Sequence, residues 1–480
     1  MNNEKLTEAL DHISDKHISE AAKKPVSRRR ILLGATAAVL AIVITVGLSL
    51  SPSPAPDEGF TPFPIQAEAI TLSAGRQRLS PPKQEDYPNT ADWLAAKAAY
   101  SEEAHAITEN SILARKLLLP FFTEGNRTFL RGDGNLIWSP ANAYTGLAMA
   151  AEVTGGNTRQ QILSLLGTEN MEDLRDQVYA VWESSYMSND DNICTLANSL
   201  WLENGLNFHQ EALDILSTAH HASVYRGDLG TSAVDSAIST WLNNNTGGLL
   251  KNAADNIHLS QDTILALYST LYFKGKWFDQ FSAKKNTTDV FHSPNGDQNV
   301  TFMNQSLTTE YYWGDHFGAI RLSLRNGSKM WFILPDEGKS VEDVLQNDQY
   351  ADILLNPDWK DQKSVIVNLS LPKFDISASQ DLTVGLKAMG VTDAFAPGMA
   401  DFSAITGDMP VHFSAASQAV RVKIDEEGVE AAAFISLPGA GGTPPDETID
   451  FVLDRPFIFI ITSSIPLFAG VVNQPRPAAA

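Results

Sequence analysis

The sequence is nearly free of cysteine: Cys194 is the single one among 480 residues. One cysteine excludes an internal disulfide and a cysteine metal cluster. Its apolar surroundings in "NICTLANSLWL" predict a small buried side chain. Basic residues are also scarce, since 35 Lys and Arg stand against 57 Asp and Glu, giving a net charge of −22. This charge balance argues against nucleic-acid binding, which needs a basic surface.

The chain also lacks the short motifs of common catalytic sites. No GxSxG elbow, HExxH, P-loop or GxGxxG occurs in the sequence. The adjacent histidines His220 and His221 are interpreted as surface residues, because a metal site needs more ligands at set spacing. We therefore predict no catalytic residue, no metal and no cofactor, and we expect that the protein is not an enzyme.

A long uncharged run, "ILLGATAAVLAIVITVGLSL", occupies residues 31–50. About 20 apolar residues suffice to cross a bilayer as a helix. The flanking charges are basic before the run and acidic after it: Lys23, Lys24, Arg28, Arg29, Arg30, Asp57 and Glu58. This asymmetry predicts a cytoplasmic tail at 1–30 and a transmembrane helix at 31–50, with the bulk of the chain outside the cell. The alternative is a cleaved export signal, although the run is long for one and no clear cleavage site follows.

Residues 51–105 begin with the proline-rich "SPSPAPDEGFTPFP" and are predicted to be an extracellular linker. Ordered structure is expected to resume between Thr90 and Ala106. An exported chain without disulfides suggests a bacterial source, so we expect the protein in a bacterial cell membrane, held by one N-terminal helix.

Residues 106–475 contain no internal repeat and no proline-rich linker, which predicts a single large domain. Helical patterns such as "SPANAYTGLAMAAEVTGG" come first. Strand patterns then dominate, and "TILALYSTLYFKG" is apolar enough for a strand buried on both faces. Helices and strands mix without regular βαβ alternation, which indicates an α+β fold with mixed, largely antiparallel sheets.

The segment 424–451, "IDEEGVEAAAFISLPGAGGTPPDETIDF", combines two kinds of pattern. From Val429 every second residue is apolar, as in a strand that lies on a core. Pro438 and the glycines and prolines after it favour an exposed loop instead. Both patterns are satisfied if the segment has two states, exposed at first and later part of a sheet. The alternative is an ordinary helix, since Glu and Ala favour helices.

Several segments, in order and spacing, resemble the serpin family of protease inhibitors. "EEGVEAAA" resembles the hinge of that family, "LYFKGKW" its strand ending in Lys-Gly-x-Trp, and "SLPKFDI" its Leu-Pro-Lys-Phe strand. "NLIWSPANAYTGLAMAAEVTGGNT", "MGVTDAF", "DFSAIT", "DRPFIFII" and "PLFAGVVNQP" match as well. The resemblance covers nearly all of 106–475. It implies the serpin fold, with β-sheets surrounded by α-helices and an exposed reactive-centre loop.

The resemblance also implies a mechanism and a hinge. A protease cleaves the loop and is held as an acyl-enzyme, while the loop inserts into the main sheet as a new central strand and distorts the protease. Gly428 is the expected pivot, because glycine adopts positive φ freely. The implied hinge comprises Glu426, Glu427, Gly428, Val429, Glu430, Ala431, Ala432 and Ala433.

A polar cluster beneath the main sheet is the second implied feature. Where the family usually has a second Ser after Ser-Pro, an Asn and a His, this chain has Asn142, Ser269 and Gln418. With Ser139 these residues form the expected sheet-opening cluster. The hydrogen-bonding groups are redistributed, so we expect a rebuilt network, since a buried polar cluster must stay satisfied.

The reactive bond is expected at Gly442–Thr443, with Ala440–Gly441 as the alternative. No Lys or Arg lies between Ile424 and Asp454, which argues against trypsin-like enzymes. The small residues fit an elastase-like or subtilisin-like serine protease, and Asp446 or Glu447 would suit a glutamyl-specific one.

Two classes of function remain open on the sequence alone. The favoured class is a monomeric suicide inhibitor of an extracellular serine protease. The alternative is a non-inhibitory serpin that acts in binding or surface interaction. The small hinge residues Ala431–Ala433 favour the inhibitor, because bulky or charged side chains impede insertion.

Overall fold

The computed structural model describes residues 38–47 and 82–475, apart from 186, 190–191, 247–256, 357, 408–409, 430–444 and 446. All of them belong to a compact unit that spans Thr36–Ala480. The predicted cytoplasmic tail at 1–30 and the first part of the predicted linker, 51–81, lie outside the described residues.

A long helix, α1, begins at Thr90 and ends at Phe129, after Asn89 has capped it by accepting a hydrogen bond from Asp92 N. Ordered structure therefore resumes within the expected range, and residues 90–105, assigned to the linker, are helical. The other α-helices of the described residues are α2 (Pro140–Val153), α3 (Gly156–Leu165), α4 (Met171–Ser185), α5 (Gln210–Thr218), α6 (Ser232–Asn245), α7 (Val341–Leu345), α8 (Gln349–Leu355) and α9 (Thr383–Ala388).

The main sheet is built largely from antiparallel strands of different parts of the chain. These strands are β1 (Ala38–Gly47), β3 (Met187–Asn189), β4 (Asn192–Glu203), β5 (Ala222–Gly227), β6 (Thr263–Lys276), β12 (Phe374–Asp381), β13 (His412–Ile424) and β14 (Gly428–Val429). The central path of the sheet runs β12-β13-β1-β6-β4-β3, while β14 also pairs with β6, and β5 pairs with β4 in parallel.

A second sheet contains the remaining strands, which are β2 (Leu136–Trp138), β7 (Thr287–Ser293), β8 (Gly296–Gly314), β9 (Phe317–Ser323), β10 (Lys329–Pro335), β11 (Gln362–Pro372), β15 (Thr448–Val452), β16 (Phe457–Thr462) and β17 (Pro466–Val472). It follows the path β15-β11-β8-β9-β10-β16-β17-β2, with β7 paired to β8. The α+β prediction with largely antiparallel sheets is confirmed.

Helix α2 positions the site, because every one of its residues is buried and it packs against β6, β1 and β17. It begins at a Ser-Pro pair: Ser139 caps the helix by accepting a hydrogen bond from Asn142 N, and Pro140 occupies the first turn. Strand β6 is buried along nearly its whole length, as its apolar sequence predicts. Cys194 on β4 is buried too, which confirms that prediction.

The prediction of a membrane helix at 31–50 is wrong for the part of this run that the structure describes. Ala38–Gly47 form β1, a strand between β13 and β6. The physical reason is that an uncharged run rich in Val, Ile and Ala suits a strand buried on both faces as well as a membrane helix. Among the described helices, none is both long enough and apolar enough to cross a bilayer.

Candidate functional site

The hinge turns back toward the main sheet directly after β13. Gly428 pairs with Lys276 and Val429 with Gly275, so the first hinge residues already lie antiparallel to β6. Gly428 has φ +150°, and a Cβ there would lie 2.5 Å from the carbonyl oxygen of Gly275. Only glycine fits this position, because both the backbone conformation and the close approach to β6 exclude a side chain.

Hydrogen bonds hold the residues before Gly428 against the end of β6. Trp277 N donates to Glu427 O at 3.0 Å, and Trp277 Nε1 donates to Asp425 O at 2.9 Å. Glu426 forms an ion pair with Lys373 and accepts a hydrogen bond from Asn286. Burial alone would raise the pKa of Glu426, but these two partners lower it, so the carboxylate is charged at neutral pH.

The structure describes only the first half of the predicted hinge. Glu426, Glu427, Gly428 and Val429 lie together at the end of β6, and Val429 is fully buried. Glu430, Ala431, Ala432 and Ala433 lie outside the described residues, as do Ala440, Gly441, Gly442, Thr443 and Asp446. The predicted position of the reactive bond stays a prediction.

Glu447, the other candidate for a glutamyl-specific protease, is described. Its carbonyl oxygen accepts a hydrogen bond from Ile366 N at 2.9 Å, and its carboxylate forms an ion pair with Lys363. It therefore lies directly before β15 and is bound to β11. A protease needs extended, unpaired backbone at the scissile bond, so this arrangement disfavours cleavage after Glu447.

The four residues of the predicted sheet-opening cluster lie together behind the main sheet, and all are buried. Asn142 Nδ2 on α2 donates to Ser269 Oγ on β6 at 2.8 Å. Ser139 N donates to Gln418 Oε1 on β13, and Gln418 Nε2 donates to Ser139 O, both at 3.1 Å. The start of α2 is thus joined to two strands of the sheet, one on each side of β1. That the cluster controls sheet opening stays a prediction.

Thr145 is a member of this network that the sequence reasoning missed. Its Oγ1 lies 3.2 Å from Ser269 Oγ. The signal was present in the spacing, because Ser139, Asn142 and Thr145 follow one another at intervals of three residues at the start of α2, which places them on one face of the helix.

Strand β1 occupies the position between β6 and β13 in the main sheet, and this position is called the lane below. It runs antiparallel to both, and Ile42 pairs with Ser269 on one side and with Gln418 on the other. The central strand of the main sheet is therefore supplied by a segment that lies far from the sheet's other strands in sequence.

The interpretation of His220 as a surface residue is wrong, because its side chain is fully buried. His220 Nε2 lies 3.0 Å from Glu152 Oε1, and Arg175 binds the same carboxylate through two hydrogen bonds of 2.7 and 2.9 Å. A buried carboxylate needs such partners, and they lower the pKa of Glu152 although burial alone would raise it. No group of three or more candidate metal ligands occurs within the described ranges.

The hinge starts a short strand against β6, and a segment from elsewhere in the chain forms the strand between β6 and β13 of the main sheet. The family model for serpins, serine protease inhibitors, matches residues 125–475, and the chain belongs to the serpin family.

The curated relatives come from distant groups of organisms. Alpha-1-antiproteinase F of Cavia porcellus is 29% identical over 71% of this chain and 85% of its own length. An uncharacterized serpin-like protein of Thermococcus kodakarensis is 29% identical over 72% of this chain and 82% of its own. Plasminogen activator inhibitor 1 of Sus scrofa is 26% identical over 78% and 95%. These sources do not bear out a specifically bacterial type.

Solved structures agree on the fold. The thermophilic serpin tengpin in its native state has a TM-score of 0.64 and 26% identity, and the match covers 74% of this chain and 92% of tengpin. Cleaved Serpin 42Da has a TM-score of 0.65 over 76% of this chain and 99% of its own, at 22% identity. The serpin fold implied by the motifs is confirmed.

Proposed function

We propose that this serpin is a suicide inhibitor of an extracellular serine protease with elastase-like or subtilisin-like specificity. The protease serine attacks the scissile carbonyl, the peptide bond breaks, and the new amino terminus leaves with Thr443. The protease stays bound as an ester to Gly442. The freed loop then extends β14 into the main sheet and pulls the protease along before water hydrolyses the ester.

The observation that carries this proposal is the pairing of Val429 with Gly275. The hinge has already begun an antiparallel strand on β6, and the residues that follow in the sequence are small, from Ala431 to Ala433. Extending this strand requires no reversal of direction, and after Glu430 its next three side chains are only methyl groups. Burial of the larger apolar residues further on, such as Ile435 and Leu437, contributes about 1.5–3 kcal/mol each.

An extracellular place of action is part of this proposal and comes from the sequence alone, since Ala38–Gly47 form β1 and not the membrane helix whose flanking charges suggested it. The protease class rests on the small residues near the reactive bond and on the lack of Lys and Arg between Ile424 and Asp454.

A non-inhibitory serpin that acts by binding is the second candidate. It is favoured by β1, which already fills the lane that an inserting loop would need. In that case, cleavage of the loop would release the protease unharmed and leave the sheet unchanged.

The test is to incubate the full chain with elastase, with subtilisin and with trypsin as the control, and to separate the products on a denaturing gel. We expect a covalent complex with elastase or subtilisin and none with trypsin. The new amino terminus of the released fragment distinguishes Gly442–Thr443 from Ala440–Gly441. A cleaved protein with no complex and an unchanged melting temperature would favour the binding candidate.

A further inference from the structure

We propose that strand β1 is a built-in occupant of the insertion lane, which has to leave the main sheet before the cleaved loop can insert. The inference rests on the proposed inhibitory function, because it assigns a control to that same insertion step. The N-terminal segment 38–47 would then decide whether a cleaved molecule traps its protease or releases it.

The first argument is that β14 and β1 lie end to end on the same side of β6. Asp425 N, directly after β13, donates to Gly428 O at 3.2 Å, and β13 is on the side of β6 that β1 occupies. On β6, Val429 pairs with Gly275, and Ala38 pairs with Phe273, so Lys274 alone separates the two pairing positions. Both strands run antiparallel to β6. A sheet accommodates one strand per lane, since neighbouring strands lie about 4.7–4.9 Å apart.

The second argument comes from the register. Each step of one residue along the loop moves one residue back along β6, so Ala431 would come opposite Phe273, and Ile435 opposite Ser269. These two places are held by Ala38 and Ile42. The loop and β1 therefore compete for the same backbone partners in the same direction, and insertion beyond Val429 requires that β1 leave.

The third argument is the composition of the two competitors. The β1 segment, "AVLAIVITVG", is uncharged and rich in β-branched residues, which favour strands buried on both faces. In the continued register the loop sequence reaches Pro438 and Gly439, which weaken a central strand. Strand β1 thus fits the second half of the lane better than the loop does. The free energy needed to remove β1 from the sheet therefore opposes insertion of the loop.

The test uses a disulfide that fixes β1 in place in the full chain. Ala41 pairs with Ala419 of β13, and the lone native cysteine, Cys194, is buried on β4, so an Ala41→Cys, Ala419→Cys variant adds the reactive thiols. Directly paired residues of antiparallel strands meet the Cα separation of a disulfide. The control is Ala41→Cys, Ala415→Cys, because Ala415 pairs with Thr45 instead.

We expect the first variant to cross-link and the control to stay reduced. The oxidised variant should be cleaved by elastase or subtilisin, yet its yield of covalent complex should fall by roughly tenfold or more relative to the reduced form. Reduction should restore both the complex and the rise in melting temperature after cleavage. Failure of the cross-link to form, or equal behaviour of oxidised and reduced protein, would overturn the inference.

The two proposals fail in different ways. If no form of the protein traps protease, but reduced cleaved protein gains heat stability and oxidised cleaved protein does not, the inhibitory function is refuted while the control by β1 stands.

A second variant tests the proposal without the cysteine pair, in case that pair misfolds. Ile42→Arg places a charge opposite Ser269 and Gln418, which are both buried, and should raise the yield of covalent complex. Ile112→Arg, at a side chain that is 58% exposed, should not.

Discussion

Gln418 and Ser139 bind each other through two reciprocal hydrogen bonds of 3.1 Å, which join β13 to the start of α2. The side chain of Gln418 therefore binds the backbone of the residue that caps α2, while Gln418 itself belongs to strand β13. Ser139 O also accepts a hydrogen bond from Ala143 N, so Ser139 N is the group that depends on Gln418 alone.

We therefore expect Gln418→Ala to lower the free energy of unfolding by roughly 1–3 kcal/mol, since it leaves the buried Ser139 N–H without an acceptor. Urea unfolding of the intact protein measures this change. Gln261→Ala is the control, because Gln261 is exposed, and its effect should be near zero. Equal effects at the two positions would contradict the importance of the Ser139 contact.

Gly428→Ala should detach the hinge from β6, because the new Cβ meets the backbone of both Gly275 and Lys276. We expect a loss of roughly 1–3 kcal/mol of stability in the intact protein, the usual range for a strained backbone position. Gly327→Ala is the matched control: Gly327 also has positive φ, at +86°, but its Cβ would have no neighbour within 4 Å. The loss at Gly428 should exceed that at Gly327, and the reverse order would argue against the observed hinge contact.

Val429→Arg should convert the inhibitor into a substrate. Val429 is fully buried beside β6, and an unpaired charge at this position costs several kcal/mol even after relaxation. The reactive bond is remote in sequence, so cleavage should continue while the covalent complex disappears from the denaturing gel. Val384→Arg, at a side chain that is 76% exposed, should trap protease normally. Normal trapping by Val429→Arg would refute the hinge as the start of the inserting strand.

In Glu152→Gln, the free energy of unfolding should depend less on pH in the acid range than it does in the wild type. The pKa of Glu152 is lowered in the folded state, so its stabilisation is present above the unfolded pKa of about 4.3 and is lost as the pH falls through the lower folded value. At pH 7 we expect a loss of roughly 1–3 kcal/mol, moderated because Arg175 is 35% exposed.

The loss caused by Glu152→Gln should shrink as the pH falls below about 4. Urea unfolding across this range is the measurement, and Glu169→Gln, at an exposed carboxylate, is the control. A difference between wild type and Glu152→Gln that stays constant with pH would show that the carboxylate charge is not the cause.

The sequence predicted those elements whose local pattern and final environment agree. Strand β6 is apolar on both faces and is buried on both, and the Ser-Pro start of α2 lies where the helix begins. The start of the hinge was recognised for the same reason, because the glycine expected as its pivot is the residue that pairs with Lys276 of β6.

The features that the sequence did not predict depend on contacts between residues that are distant in sequence. His220 is buried against Glu152, which lies 68 residues away, and no local sequence pattern predicts that contact. The run that contains β1 has the composition of a membrane helix, and only its pairing with β6 and β13, which are distant in sequence, distinguishes a strand from such a helix. The sequence therefore predicted a membrane helix at a segment that the structure shows as a strand.

The position of β1 also bears on how copies of this protein behave toward one another. Without it, β6 and β13 would present two facing rows of unpaired backbone groups, and such edges recruit strands from other molecules. With β1 paired on both sides from Val39 to Gly47, each molecule has closed this opening with its own chain. In concentrated solution the protein should therefore resist strand exchange and linear polymer growth. This protection is lost when β1 leaves the sheet and exposes the edges of β6 and β13.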